Sequence, residues 1–146
     1  METGLRRLGL ATYLPVLETV RRWSDRKKVV EVPYFAGYVF LRCREDQRGA
    51  AWTVPGAVRF LGGQGRATPI DPAEIETIRD ALSRRVPFDP HPHMEPGQQV
   101  TIAAGPLAGL TGTLVRRQRK YRLVLYVKAM GQGISAEVDA IDVAPA

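Results

Sequence analysis

Short segments of alternating apolar residues, separated by glycine-rich breaks, fill the last third of the chain. They are QVTIAAG, GTLVRR, KYRLVLYVK and ISAEV, all within residues 98–146. In the third segment, Tyr121, Leu123 and Leu125 share one face, a period of two that is typical of strands. Short strands joined by tight turns leave no exposed edge when their sheet closes on itself. The pattern predicts a small β-barrel over residues 98–146.

A helix is predicted over residues 71–86, DPAEIETIRDALSRRV. Asp71 is a favourable N-cap, Pro72 fits the first helical position, and Glu74 is placed to complete a capping box. An apolar stripe, expected to pack on a sheet, is formed by Ile75, Ile78 and Leu82. The next residues, VPFDPHPHMEPG, contain four prolines and no periodicity. They predict a semi-extended linker over residues 87–97.

The first 86 residues mix helical and strand patterns. The predicted elements are a helix end closed by Gly9, strands over 10–14, 29–43 and 57–63, and a short helix within 45–56. The whole chain is therefore expected to have an α+β fold, with an α/β domain over 1–86 followed by the linker and the barrel.

The long strand at 29–43 includes VEVPYFAGYVFLRC, residues 30–43, which are apolar on both faces. Pro33 and Gly37 interrupt it, and both residue types weaken strands. Pro33 suits an edge or a strand entry, whereas Gly37 permits a kink or the close approach of a partner. Two interpretations remain open: one face stays buried by loops, or Phe35 and Tyr38 belong to an exposed aromatic patch that awaits a partner.

The net charge of +6 is unevenly distributed. Residues 1–50 carry ten basic side chains against six acidic ones, and two clusters stand out, RRWSDRKK at 21–28 and RRQRKYR at 116–122. A single basic run is usually a solvated loop. Two runs that each contain an aromatic favour contact with a polyanion such as a nucleic acid.

Catalytic and metal-binding patterns are missing from the sequence. His91 and His93, the two histidines, lie in the proline-rich segment and are expected to be exposed. Cys43 is the single cysteine, which excludes an internal disulfide and suits a reducing cytoplasm. Since neither a signal core nor an apolar run long enough to span a bilayer is present, we expect a cytoplasmic protein. Because catalytic and metal-binding patterns are missing, we expect that it is not an enzyme and needs no cofactor.

Several stretches in order resemble the NusG family of transcription factors, and the specialised UpxY-type antiterminators in particular. They are RRWSDRKKVVEVPYFAGYVFLRC, VPGAVRFLGG and PIDPAEIETI, followed by GPLAGLTGTLV at 105–115, which resembles the KOW motif. The most specific are Phe35–Phe40, of the form F-x-G-Y-V-F, and the spacing of Val54–Phe60. Ala36 stands where the family usually has proline.

The resemblance implies an N-terminal domain of the NusG type (NGN) and a C-terminal KOW barrel of the SH3-like type. Family members begin with an aromatic-rich strand before their first helix, whereas this sequence opens at what resembles the tail of that helix. We therefore expect the first strand to be lacking, through a late start or a truncation.

The resemblance also implies function. Such proteins bind the clamp helices of bacterial RNA polymerase and suppress pausing, and Phe35, Tyr38 and Tyr13 are the residues implied in that contact. The basic segment would face DNA of the transcription bubble through Arg21, Arg22, Trp23, Arg26, Lys27 and Lys28. The barrel would bind a partner such as a NusE-type ribosomal protein through Leu107, Leu110 and Met130.

Met130 stands where general members tend to have an aromatic, which argues against a contact with the termination factor Rho. We expect a monomer that does not bind membranes. The alternative interpretation is a KOW-type protein that binds the ribosome or rRNA. It accounts for the charge and the barrel but leaves the aromatic segment unexplained.

Overall fold

The computed structural model describes residues 1–57, 60–62 and 67–146, without the side chains of Trp23 and Glu45. The chain divides into two units, Met1–Thr68 and Pro69–Ala146. Because the second unit begins at Pro69, the helix predicted over 71–86 belongs to it. The sequence had instead predicted a domain boundary at residue 86. Of the strand predicted over 57–63, Val58, Arg59 and Gly63 lie outside the described residues, and the remaining positions are not in a strand.

The first unit begins with the short helix and strand expected from its sequence. Its elements are α1 (Glu2–Arg7), β1 (Ala11–Tyr13), β2 (Val16–Trp23), β3 (Arg26–Pro33), β4 (Phe40–Arg42) and α2 (Arg48–Ala51). Gly9 follows α1 with φ at +76°, a left-handed conformation that glycine adopts without steric cost. Strand β1 pairs antiparallel with β4, and Tyr13 lies opposite Phe40. Beside this ladder the core is formed by Leu5, Leu10, Ala51 and Val54.

The prediction of one strand over 29–43 is wrong. Strand β3 ends at Pro33, and β4 begins only at Phe40. Between them the chain turns through Gly37, whose φ of +83° strongly favours glycine. Proline lacks the N–H that would continue the ladder, so the two residues that interrupt the apolar run divide it into two strands.

Strands β2 and β3 form a long antiparallel hairpin of eight residues on each side. Val16 lies opposite Pro33 at the open end, and Trp23 lies opposite Arg26 next to the turn. The turn consists of Ser24 and Asp25, with Ser24 at a φ of +51°. The basic segment 21–28 thus lies at the tip of a hairpin.

The second unit opens with helix α3 (Pro72–Ser83), which begins as predicted. The Asp71 carboxylate accepts a hydrogen bond from the Ala73 N–H at 2.9 Å, and Pro72 is the first helical residue. Ile78 and Ala81 are buried. Glu74 does not close a capping box in the described contacts; its carboxylate instead accepts from the backbone N–H of Lys128 at 3.2 Å.

A six-stranded antiparallel sheet forms the rest of the second unit. Its strands are β5 (Asp89–His91), β6 (Gln98–Ile102), β7 (Thr111–Arg117), β8 (Lys120–Val127), β9 (Gln132–Val138) and β10 (Val143–Pro145), in the order β10-β6-β7-β8-β9-β5. The four predicted strands are confirmed as β6 to β9. Closure of this sheet into a KOW barrel stays a prediction.

Strand β5 lies inside the segment that was predicted to be a linker. It pairs with β9, so that His91 lies opposite Gly133. Phe88 and His91 are buried, and the prediction of an exposed histidine is therefore wrong for His91. Prolines at 90 and 92 are compatible with this strand because it lies at the edge of the sheet, where a missing N–H costs little.

Within the described part of the chain, no helix has the length and apolar character needed to cross a membrane.

Candidate functional site

Aromatic residues of the first unit form an inner cluster around Phe40. Phe35 is 1% exposed and meets the Phe40 ring edge-to-face, with ring centres 5.4 Å apart. Tyr13 is half-buried and stacks on the same ring at 6.3 Å. Of the two interpretations left open by the sequence, burial holds for Phe35, because its side chain fills the interior.

Tyr38 is the predicted docking residue that lies at the surface. Its side chain is 36% exposed and borders a cavity of about 280 Å³, together with Phe60, Leu61 and Gly62. The turn at Gly37 separates it from Phe35, so the two aromatics that sequence reasoning placed together lie in different environments. Phe35 and Phe40 pack against each other, and the Tyr38 side chain is accessible to solvent.

Trp52 and Phe60 are two aromatics of this region that the sequence analysis did not assign to the site. Trp52 is 56% exposed, and its ring stacks on Phe60 with centres 6.2 Å apart. The Arg48 guanidinium lies 6.0 Å from the Phe60 ring. Exposed Trp and Tyr side chains are enriched at interface hot spots, since they bury a large area with few rotatable bonds. We call Tyr38, Trp52 and Phe60 the aromatic surface.

The hairpin tip, defined as Arg21, Arg22, Arg26, Lys27 and Lys28, is a separate feature of the same unit. All five side chains are exposed. Arg21 lies directly opposite Lys28, and Arg22 opposite Lys27. None of the five forms an ion pair with another described residue. Like charges at opposed positions destabilise a strand pair, so this arrangement is unfavourable until an anion neutralises it.

Trp23 belongs to the same tip by its backbone, opposite Arg26 in the register. Its side chain lies outside the described part of the structure, so its predicted stacking on a base stays a prediction. The five cations lie on both faces of a two-stranded ribbon, because successive residues along each strand alternate between the two faces. A ribbon of this kind can neutralise several phosphates of a polyanion.

The predicted partner residues of the second unit differ in exposure. Leu107 and Leu110 are buried, in a loop whose glycines 105 and 109 have φ values of +85° and +90°. This packing keeps both leucine side chains off the surface. Met130 is half-buried in a short helical turn, Lys128–Met130. Of the three residues, Met130 is the one that a partner can reach directly.

A buried polar cluster on the C-terminal sheet had no counterpart in the sequence analysis. The His91 Nε2 lies against the Glu95 carboxylate, and His91 Nδ1 is 3.3 Å from Ser135 Oγ. Glu95 also pairs with Arg117 at 2.8 Å. Burial lowers the pKa of His91, although the hydrogen bond and charge of Glu95 oppose the shift. The hydrogen bond from Arg117 lowers the pKa of Glu95.

Comparison with known proteins identifies the family. A family model described as "NusG: Transcription termination factor nusG" matches residues 1–79, more than half of the chain. The NusG protein of Thermus thermophilus, described as a transcription termination/antitermination protein, is 27% identical over 93% of this chain and 80% of its own length. The proteins of the same description from Helicobacter pylori 26695 and Escherichia coli K12 are each 29% identical, over 79% and 86% of this chain and 67% and 72% of their own lengths. The chain belongs to the NusG family of transcription termination factors.

Proposed function

We propose that this protein is a transcription elongation and antitermination factor that binds bacterial RNA polymerase and suppresses pausing or termination. The observation that carries the proposal is the aromatic surface, which lies within the residues that match the family model. Bridging the polymerase cleft would hold its clamp closed. This action requires binding and no chemical reaction.

Tyr38 is the central contact to the polymerase clamp helices in this proposal. Its ring is accessible, and the neighbouring cavity of about 280 Å³ offers space for an apolar side chain of the partner. Phe35 and Tyr13 act indirectly, because they hold Phe40 and the strand that follows the Tyr38 turn. A buried aromatic that positions an exposed one explains why both occur in a single short motif.

The hairpin tip supplies the second contact, with DNA of the transcription bubble. Five cations without an ion pair in the described structure favour phosphate binding, because each phosphate contact releases condensed counterions. The second unit recruits a further partner, such as a NusE-type ribosomal protein, through its KOW-type loops. Met130 makes direct contact there, and Leu107 and Leu110 hold the loop in shape.

Binding to core RNA polymerase without nucleic acid tests the first contact. Replacing Tyr38 with alanine removes an exposed ring and is expected to raise the dissociation constant about tenfold or more. Phe35→Leu keeps an apolar side chain in the core and should weaken binding less than Tyr38→Ala. Tyr121→Ala, which removes a tyrosine ring from the second unit, is the matched control and should leave binding unchanged.

Two outcomes would overturn the proposal. One is polymerase binding that is the same for the wild-type chain and for Tyr38→Ala. The other is binding to ribosomes in the absence of any binding to polymerase, which would favour the rRNA-binding alternative.

A further inference from the structure

The turn between β7 and β8 carries the second basic cluster of the chain, which the polymerase and bubble contacts leave unused. Arg117 lies opposite Lys120, and the two residues between them, Gln118 and Arg119, form the turn. Both turn residues have positive φ, +50° and +70°. Five cations lie in these seven residues: Arg116, Arg117, Arg119, Lys120 and Arg122.

Ion pairs neutralise three of the five cations. The pairs are Arg117 with Glu95 at 2.8 Å, Lys120 with Glu137 at 3.4 Å, and Arg122 with Asp89 at 2.8 Å. A cavity of about 600 Å³ on this side of the sheet is lined by all three cations and also by Asp89 and Glu137. Because each of the three cations is already paired with a carboxylate, the cavity is a poor site for an anion.

Arg116 and Arg119 are the cations that remain. Both side chains are exposed, and neither forms an ion pair in the part of the chain that the structure describes. Arg116 lies opposite Tyr121 in the register, and its guanidinium is 5.7 Å from the tyrosine ring. Side chains alternate between the faces of a strand, so this pair lies on the face opposite to Arg117 and Lys120.

The conformation of Arg119 points to a role beyond stability. A two-residue hairpin turn with positive φ at both positions strongly prefers asparagine followed by glycine. Arginine in a left-handed conformation is strained relative to glycine, and strain of this kind is typical of functional positions. A charged side chain thus occupies a turn position at which glycine is the favoured residue.

We propose that Arg116, Arg119 and Tyr121 form a binding surface for single-stranded RNA. Guanidinium planes and aromatic rings stack on unpaired bases, and guanidinium groups also bind phosphates. RNA is favoured over single-stranded DNA because, in the proposed function, the hairpin tip binds the DNA of the transcription bubble and the transcript is the other single strand present. That choice rests on the proposed function, whereas the surface itself rests on the β7–β8 geometry.

The test measures binding of a fluorescent single-stranded RNA to the full chain, across salt concentrations. All RNA-binding variants are made in a background that removes the contribution of the hairpin tip. In this background glutamine replaces the cations at residues 21, 22, 26, 27 and 28. In that background, Arg116→Gln with Arg119→Gly is expected to weaken binding about tenfold. The slope of log affinity against log salt should fall in magnitude by about 1.4, since each phosphate contact to a single strand contributes about 0.7. Arg119→Gly relieves a strained residue, so the melting temperature should not fall.

Matched variants separate a site from a general charge effect. Arg7→Gln with Arg85→Gln removes two exposed arginines elsewhere in the chain and should change binding much less. Tyr121→Phe should retain RNA binding, whereas Tyr121→Leu should weaken it, because stacking needs the ring. Equal losses from both arginine pairs, or a preference for duplex DNA over the RNA strand, would overturn the proposal. No polymerase is present, so this result is independent of the Tyr38 experiment.

Discussion

His91 shows how the surroundings of one residue set its chemistry. It is 1% exposed, lies against Glu95 and Ser135, and meets the Tyr126 ring edge-to-face at 5.7 Å. The Tyr126 hydroxyl accepts a hydrogen bond from the Glu95 N–H at 3.0 Å, which holds the segment after β5 over the histidine. A neutral imidazole fits this environment, because burial penalises the charged form.

Acidification is therefore expected to destabilise the protein through His91. Its pKa is lowered from the ordinary value of 6.5, so as the pH falls through that value the unfolded chain binds a proton that the folded chain resists. The free energy of unfolding should decrease by at most about 1.4 kcal/mol per pH unit, the linkage slope for one proton. Glu95 adds a further loss as the pH falls through its ordinary value of 4.5, because its pKa is lowered as well.

Urea unfolding between about pH 8 and about pH 5.5, followed by circular dichroism, measures this loss. His91→Gln should flatten the pH dependence over this range, whereas His93→Gln, which changes an exposed histidine, should leave it as in the wild type. Parallel curves for the wild type and for His91→Gln would contradict the assignment.

The sequence could not have identified this histidine. An H-x-H pattern among four prolines indicates an exposed linker, and only pairing with β9 buries His91. Tyr38 and Phe35 illustrate the same limit. Their aromatic character predicted a docking site, but the turn at Gly37 decides which ring faces solvent, and that depends on the packing of Phe40.

The β2–β3 hairpin is an element whose charges oppose its own folding. Its register places Arg21 opposite Lys28, Arg22 opposite Lys27 and Glu18 opposite Glu31. A two-stranded ribbon is only marginally stable, and like charges at opposed positions weaken it further. The basic run itself was evident in the sequence, but the cross-strand pairs follow from the two-residue turn at Ser24 and Asp25, which fixes the register.

Charge reversal on β3 should move stability and DNA binding in opposite directions. Lys27→Glu with Lys28→Glu creates two opposite-charge pairs, which should stabilise the hairpin by about 0.2–1 kcal/mol each. The same change removes two phosphate-binding groups, so DNA affinity should fall and the salt slope should decrease in magnitude by about 1.8 for duplex DNA. Urea unfolding and salt-dependent binding to a bubble-containing duplex measure the two effects.

Glu18→Lys is the matched control for this experiment. It also converts a like-charge pair into an opposite-charge pair, here with Glu31, and should stabilise the same hairpin. Because it adds a positive charge away from the tip, DNA affinity should not decrease. Unchanged DNA binding in the β3 double variant would remove the hairpin tip from the candidate site.

Helix α3 shows what an element's own sequence can specify. Asp71 and Pro72 predicted its start, since capping is a local interaction. Where the helix packs is not a local property. Arg84, next to its end, donates to the carbonyls of Pro106 at 3.4 Å and Ala108 at 2.5 Å, so the helix belongs with the C-terminal sheet.

At the scale of the whole molecule, the family was predictable and the unit boundary was not. The motif at Phe35–Phe40, together with the order of the segments, identified the NusG family, and the family model confirms it over residues 1–79. The UpxY-type branch stays a prediction. The model match ends inside α3, whereas the structure places the boundary at residues 68 and 69. A proline-rich run resembles a linker in any sequence, because the edge pairing that makes β5 a strand is a tertiary contact.

The position of that boundary predicts which C-terminal fragment folds. A fragment of residues 69–146 retains α3, Phe88 and β5 and should unfold cooperatively in urea. A fragment of residues 98–146, the predicted barrel, exposes the edge of β9 and loses Phe88, which is 2% exposed in the chain. Loss of a buried Phe side chain alone costs about 3 kcal/mol or more, so this fragment should be far less stable or should aggregate. A fragment of residues 87–146 separates the contribution of β5 from that of α3 and should be intermediate. Equal stability of all three fragments by circular dichroism would show that the strands from Gln98 onward fold without the preceding segment, as their alternation alone predicts.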